Sequence, residues 1–339
     1  MTVRKGLFRI ELLFALFLLL SSLYAPVLAG AADVAASKKL SIAVIPERDD
    51  LDFWKLLRKG AESVAADDNV EILWASPDGY GSFKGQQRKI EWCIKNKVDA
   101  IVISPVHNSN LREPLNKARR KGIPVIQMVS KTSHSINPGY VHSNNFDGGA
   151  LAADYLSKKI NGSGNVILGM FKRGNSPVNS RIKGFKNELK KSGSKLKVIK
   201  SIYVGGSPGK GASKVRVALW GGGDDMRKAP KIRAIVGMNE SSCEVLLSTL
   251  KKMGKPEGLI FVAFNPDPEM VQMIKDGKIA AGVAQDPYRI GRLAVTQAAM
   301  TVRGKEIPPE TVTKVYLVTK ENLSQVKIQQ VLGLADRDS

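Results

Sequence analysis

Residues 41–60, SIAVIPERDDLDFWKLLRKG, decide the fold. Ser41 to Pro46 is a short apolar run with β-branched residues, closed by a proline, and reads as a buried strand. Glu47 to Leu51 is a charged loop. Asp52 stands where an N-cap belongs, and a helical pattern follows through Phe53, Trp54, Leu56 and Leu57. Two large aromatics side by side in a first helical turn admit two readings. One is a hydrophobic staple. The other is a stacking platform at the mouth of a cleft, because ligands sit at the carboxyl ends of strands in open α/β sheets.

The pattern then repeats. Strands are expected at Val70–Ala75, Ala100–Ser104 and Val125–Met128, with helices at Gln86–Asn96 and Leu111–Lys121 between them. The alternation restarts at Val141. Helices are expected at Phe146–Ile160, Arg181–Ser192, Lys214–Met226, Cys243–Met253, Glu269–Asp276 and Tyr288–Val302. Strands fall between them, and a last strand runs over Val312–Val318. The helix at 214–226 is a poor one, because it carries Gly221-Gly222-Gly223. Strand–helix alternation with short links predicts an α/β fold with parallel sheets. The expected organisation is two Rossmann-like lobes joined by a hinge of several crossovers. Residues 39–142 plus 287–313 form the N-lobe, 143–286 plus 314–330 the C-lobe, and 331–339 a tail. Clefts between domains are preferred ligand sites.

Residues 1–29 read as a secretory signal peptide. Arg4, Lys5 and Arg9 form a positive start, Leu12 to Leu23 is apolar, and Val27-Leu28-Ala29 is a small-x-small cleavage pattern. The run is shorter than the roughly 20 residues that span a bilayer, which disfavours an uncleaved anchor. The protein is therefore expected outside the cytoplasm. The 339-residue chain carries a formal charge of +21, and removing the leader's three basic and one acidic residue leaves +19. An exported protein rarely meets nucleic acid, so none is expected as partner. The densest basic stretch, Arg181 to Lys200, holds eight basic residues and one acid. It reads as a solvated face, with an anionic membrane surface or an acidic partner as alternatives. Cys93 and Cys243 read as buried thiols in different lobes rather than as a bridge. Three histidines at 107, 134 and 142 show no metal-ligand spacing, so no metal or cofactor is expected. Trp74, Trp92 and Trp220 read as packing residues.

Catalytic motifs fail on inspection. Gly205-Gly206-Ser207-Pro208-Gly209-Lys210-Gly211 lacks the first glycine and the final Ser/Thr of a P-loop. No G-x-G-x-x-G follows the first strand, and no G-x-S-x-G elbow occurs. With no nucleophile, base or metal constellation, the chain is not expected to be an enzyme.

From about residue 40 to 323 the chain resembles the type I periplasmic solute-binding proteins of the ribose-binding-like group. The resemblance rests on Asp52-Phe53-Trp54 with Gly60, Ser104-Pro105, Gly122-Ile123-Pro124-Val125, Asn145 with Gly148-Gly149, and Arg181-x-x-Gly184-Phe185. It continues through Asn239-Glu240, Phe264-Asn265, Asp276-Gly277-Lys278-Ile279, Ala284-Gln285, Gly304-Lys305 with Pro308, and Lys320-Glu321-Asn322. It implies lobe closure on a small polar ligand, sugar-like or polyol-like, in the periplasm. The closed form would be presented to the membrane permease of an ABC transporter by a monomer. In this family's pattern Phe53 and Trp54 form the aromatic platform, and Arg181, Asn239 and Gln285 match polar ligand contacts in type. Ser104 stands for the family's Asn, Asn265 for its Asp, and Val129-Ser130 for the Asp-Arg pair that grips a pyranose. Glu47, at the end of the first strand, is a further candidate for the ligand or the hinge. Within the first lobe, Gly79-Tyr80, Gln86-Gln87, Ile90 and Cys93 resemble the TorT-like periplasmic sensor proteins, which hold trimethylamine N-oxide in an aromatic cage and dock on a sensor histidine kinase. Tyr80 is the candidate ligand contact from that likeness. Asn145 and Asn265 fall where the other cage aromatics stand.

Overall fold

The computed structural model describes residues 39–67, 69–78, 82–107, 109–132, 138–205, 208–221 and 231–337. The leader at 1–29, Tyr80 and Gly222-Gly223 lie outside the described residues. No helix among those described is long and apolar enough to cross a membrane.

The first sheet has the order β11-β5-β4-β3-β1-β2, comprising Thr311–Thr313, Gly139–Ser143, Val125–Met128, Ala100–Ile103, Leu40–Ile45 and Val70–Trp74. All its strands are parallel. Its helices are α1 (Asp52–Glu62), α2 (Val64–Asp67), α3 (Phe83–Lys95), α4 (Arg112–Arg120) and α10 (Pro287–Val302). The second sheet has the order β12-β10-β9-β8-β6-β7, comprising Tyr316–Val318, Ala281–Ala284, Ile260–Phe264, Ile232–Gly237, Gly164–Met170 and Leu196–Tyr203. Only β12 runs antiparallel to its neighbour. Around it lie α5 (Asn145–Ile160), α6 (Ser176–Lys191), α7 (Pro208–Trp220), α8 (Glu240–Met253), α9 (Pro268–Lys275) and α11 (Val326–Val331). The two-lobed α/β fold with parallel sheets is the one the alternation predicts. Each sheet buries both faces, and so the central strands read as continuous apolar runs such as AIVI in β3.

Both lobes use glycine to bring a helix pair together. In the first, a Cβ at Gly60 would lie 1.9 Å from Tyr288 O and one at Gly291 would lie 2.1 Å from Leu57 O, where α1 crosses α10. In the second, a Cβ at Gly149 would lie 1.8 Å from Arg181 O and one at Gly184 would lie 1.9 Å from Phe146 O, where α5 crosses α6. Only glycine allows backbones this close. The second crossing carries the start of α6, and Arg181 with it, up against α5.

Among the described residues the chain passes between the sheets three times: from β5 into α5, from β10 through Gln285-Asp286 into α10, and from β11 to β12. The stretch read as one strand over 312–318 is thus two, one in each sheet, parted by Lys314-Val315. At the second crossing Asp286 is buried. It caps α10 by accepting the Arg289 N–H at 3.0 Å, and it pairs with Arg337 at 2.8 Å. Residues beyond α11 therefore return to the hinge, and Gly333 packs on Leu56 of α1.

Some local expectations give way. Asp52 is the first helical residue of α1, with Leu51 at the cap position and no side-chain cap of its own. Its carboxylate pairs with Lys55 instead. The helix expected from Arg181 begins five residues earlier, at Ser176, because Asn175 caps it by accepting the Val178 N–H at 3.0 Å. Arg181 consequently leaves the basic face and is buried. The helix at 214–226 starts at Pro208 and stops at Gly221, whose φ is +84°. Trp92 is not a packing residue; it is 42 % exposed on α3. The two cysteines are free and buried. Lys197 and Lys200 of the basic stretch lie on β7, a sheet edge, where charged side chains discourage strand addition.

Candidate functional site

The carboxyl ends of the central strands of both sheets meet at a cavity of about 250 Å³. Phe53, Trp54, Glu47, Arg181, Asn239, Asn265 and Gln285 all line it. The structure thus brings seven of the nine candidate residues together. Ser104 does not reach the cavity, and Tyr80 lies outside the described residues.

On the N-lobe wall, Phe53 and Trp54 meet edge to face, with ring centroids 5.1 Å apart and planes at 85°. Both also belong to the core under the first sheet, with only 9 % and 5 % of their surface exposed. They are at once part of the core and part of the cavity lining. Glu47 follows β1 and is held by hydroxyls from the ends of β3 and β4. Its Oε1 accepts from Ser130 Oγ at 2.8 Å and from Ser104 Oγ at 3.2 Å. Ser104 thus stands behind Glu47 as a positioning residue. Below it, Gln86 ties the strand ends together. Its amide donates to Pro46 O and Ser104 O, and its carbonyl accepts from the Val106 N–H.

On the C-lobe wall, Arg181 is 3 % exposed. Its Nε donates to Asn145 Oδ1 at 2.9 Å, its Nη1 to Met238 O at 2.7 Å, and its guanidinium lies over the Phe264 ring at 4.9 Å. Burial lowers its pKa to about 10, which leaves it cationic at neutral pH. Asn239 precedes α8, and its Oδ1 accepts the Phe171 N–H at 3.3 Å. Gln285 Nε2 donates to Asn265 Oδ1 at 3.2 Å, while Gln285 Oε1 is buried with no partner among the described residues.

The walls touch each other. Glu240, on the C-lobe, accepts the N–H groups of Asp52 at 3.1 Å and Phe53 at 3.4 Å, and so supplies the cap that α1 lacks. Burial, then the nearby Glu244, pushes its pKa up to about 8. Arg48 Nη1 donates to Ser241 Oγ at 3.1 Å, and Lys172 Nζ donates to Val106 O at 3.2 Å. These contacts make the conformation a closed one.

Arg48, Phe171, Lys172, Asn175 and Ser241 line the cavity without having been singled out in the sequence, and Glu240 was noted there only as part of the family pattern. One signal could have found two of them. Phe171-Lys172 follows β6 as Glu47-Arg48 follows β1, at the equivalent edge of the other sheet. The rest are loop and helix-start residues whose neighbours come from the opposite lobe. Among the described residues no group of three His, Cys, Asp or Glu side chains is placed to hold a metal ion.

The chain as a whole has known relatives. The chain is 26 % identical over 294 residues to the ribose import binding protein RbsB of Bacillus subtilis, covering 86 % of this chain and 92 % of that protein. An ABC transporter solute-binding protein from Burkholderia graminis, solved with D-arabinose, superposes with a TM-score of 0.76 at 28 % identity, over 85 % of this chain and 98 % of that one. Another from Agrobacterium vitis, solved with α-D-tagatopyranose, gives a TM-score of 0.78 at 26 % identity, over 86 % and 99 %. These relatives are binding proteins, not enzymes. The model of the periplasmic binding protein domain matches residues 42–306, from β1 past the end of α10 and through both walls of the cleft, and the chain belongs to that family.

Proposed function

We propose that this protein is the solute-binding component of an ABC transporter, closing its lobes on a small sugar or polyol. The moving bodies are 39–142 with 287–313 and 143–286 with 314–330. The observation that carries the reading is an interlobe cavity with Phe53 and Trp54 on one wall and Arg181, Asn239 and Gln285 on the other. Aromatic faces accept the C–H surface of a sugar, while amides and a guanidinium satisfy its hydroxyls. Ligand contact from both walls favours the closed state over the open one, and a membrane permease reads that state. The leader at 1–29 would deliver the chain to the periplasm, where it would act as a monomer.

A thermal-shift and calorimetric screen of the mature chain with pentoses, hexoses, sugar acids, inositols and linear polyols tests this. A cleft ligand raises the melting temperature by mass action. Absence of any shift or heat across the panel would sink the reading.

A TorT-like sensor for a histidine kinase is the second reading, and it rests on the 79–93 resemblance. Three of the residues that carry it have structural work within the lobe: Gln86 clamps the strand ends, and Ile90 and Cys93 are buried in the core. The cavity also presents Asn265 where a cage would present an aromatic. Both facts favour the carrier. Binding of trimethylamine N-oxide, with retention of a kinase periplasmic domain on the loaded protein, would reverse that preference.

A further inference from the structure

The charges around the cavity do not cancel. Five ionisable side chains line it: Glu47, Arg48, Lys172, Arg181 and Glu240. Arg48 is paired with Asp50. Lys172 and Glu47 face each other at 3.9 Å, and Glu47 is further held by two hydroxyls. Glu240 directs its carboxyl oxygens at the amides of Asp52 and Phe53 rather than into the cavity. Its raised pKa makes it a weak counter-charge at neutral pH.

Arg181 is different. Among the described residues its partners are all neutral: an amide oxygen, a backbone carbonyl and an aromatic face. Its Nη2 makes no hydrogen bond within the described protein, and no carboxylate there stands within ion-pair distance. A buried cation without a counter-charge is costly, because desolvation is not offset by an ion pair. Asn265, which lines the same cavity, is neutral, and its Oδ1 is already taken by Gln285. Gln285 Oε1, buried in the same wall, is an acceptor with no donor among the described residues.

The wall therefore asks for two things at once: one negative charge opposite Arg181 and one hydroxyl donor opposite Gln285. A neutral sugar supplies the second only. One unmatched positive charge calls for one negative charge, which a carboxylate supplies and a phosphate dianion exceeds. Building on the sugar-binding reading above, we propose that the cleft takes an acidic sugar, an aldonate or uronate, whose carboxylate pairs with Arg181 and whose hydroxyl donates to Gln285 Oε1. Arg181 then sets the class of ligand, and Asn265 enforces it by leaving that charge uncompensated.

Calorimetry on the mature chain with matched pairs tests this: D-galacturonate against D-galactose, and D-glucuronate and D-gluconate against D-glucose. At least one acid is expected to bind ten-fold or more tightly than its neutral parent. Asn265→Asp is nearly isosteric, and aspartate tolerates the left-handed backbone there (φ 53°). It adds the missing counter-charge, so the preference for the acid should fall at least ten-fold. Arg181→Gln should abolish it; if that variant does not fold, the Asn265→Asp arm decides alone. Neutral parents binding more tightly than every acid would overturn the proposal and leave sugar binding intact. If neither class binds a cooperatively melting protein, the sugar-binding reading falls, and this inference with it.

Discussion

Past β4 the chain turns at Val129 with φ 59°, and past β9 it turns at Asn265 with φ 53°. Each of these residues donates its N–H to the neighbouring strand, to Val141 O at 2.9 Å and to Val283 O at 2.8 Å. The same backbone turn thus flanks the cavity on both sides. In one lobe it holds a β-branched residue, for which the left-handed region is unfavourable, and in the other an asparagine, which suits it. The glycine-mediated helix crossings repeat as well, Gly60 with Gly291 in one lobe and Gly149 with Gly184 in the other. The side chains set on this duplicated backbone are not alike. The N-lobe wall is an aromatic pair and a carboxylate held by hydroxyls. The C-lobe wall is a guanidinium held by neutral groups, with three amides beside it. The backbone therefore settles where ligand groups can sit, and a handful of turn and helix-start residues settle what they must be.

The largest break in this comparison should come from Trp54→Ala. Trp54 is both lining and core, and truncating a buried aromatic costs about 3–5 kcal/mol. Urea denaturation should show that loss together with weaker ligand binding. A fully stable variant that merely lost binding would make the N-lobe wall a platform laid on the core rather than part of it.

Asn265→Val makes the C-lobe turn like its N-lobe counterpart. It places a β-branched residue in the left-handed region and removes the acceptor for Gln285 Nε2, so stability should fall by about 2 kcal/mol. A neutral result would mean that this turn tolerates either residue type, and the contrast between the walls would lose its backbone reason. Ser130→Ala removes the shorter of the two hydroxyl bonds to Glu47 and should cost about 1.5 kcal/mol. The melting temperature should fall by more than for Ser104→Ala, whose bond is longer.

A pH-dependent effect sharpens the contact between the walls. The Glu240 pKa is raised from 4.5 to about 8 by burial and then by Glu244. Between those values the folded protein keeps a proton that the unfolded chain releases. Its contribution to stability is therefore full below about pH 4.5 and is lost as pH rises through about 8. Glu240→Gln keeps an acceptor for the amides of α1 and cannot titrate. The variant should melt close to the wild type at pH 5 and show a flatter stability profile from pH 5 to 8. An unchanged slope would remove Glu240 as its source.

The residues that betrayed the site in the sequence share one property: each stands just past a strand's carboxyl end or in the first turns of the next helix. Glu47, Asn239, Asn265 and Gln285 follow strands, and Phe53 and Trp54 open α1. The family resemblance at Arg181-x-x-Gly184-Phe185 marked Arg181 as a site residue, yet its burial was not legible. Its own neighbourhood, with seven further basic residues up to Lys200, reads as a solvated face. Only the crossing of α5 and α6 at Gly149 and Gly184 carries it inside. Asp52 looked like a helix cap because it has the right chemistry at the right place. The group that does the capping, Glu240, is 188 residues further along.

By itself the sequence determined the alternation of strands and helices, the restart near Val141, the second lobe and the edges at which a ligand would lie. These follow from periodicities within single elements, where a residue's neighbours are a few positions away. Tertiary structure alone decided that Ser104 backs Glu47, that Glu240 closes over α1, that the last strand divides between two sheets, and that Arg181 finds no counter-charge among the described residues. A buried polar group finds its partner on whichever element the fold lays against it, and that element is far away in sequence. The aromatic pair at 53–54 shows both levels in one place: a local pattern marked it, and two lobes meeting made it a wall.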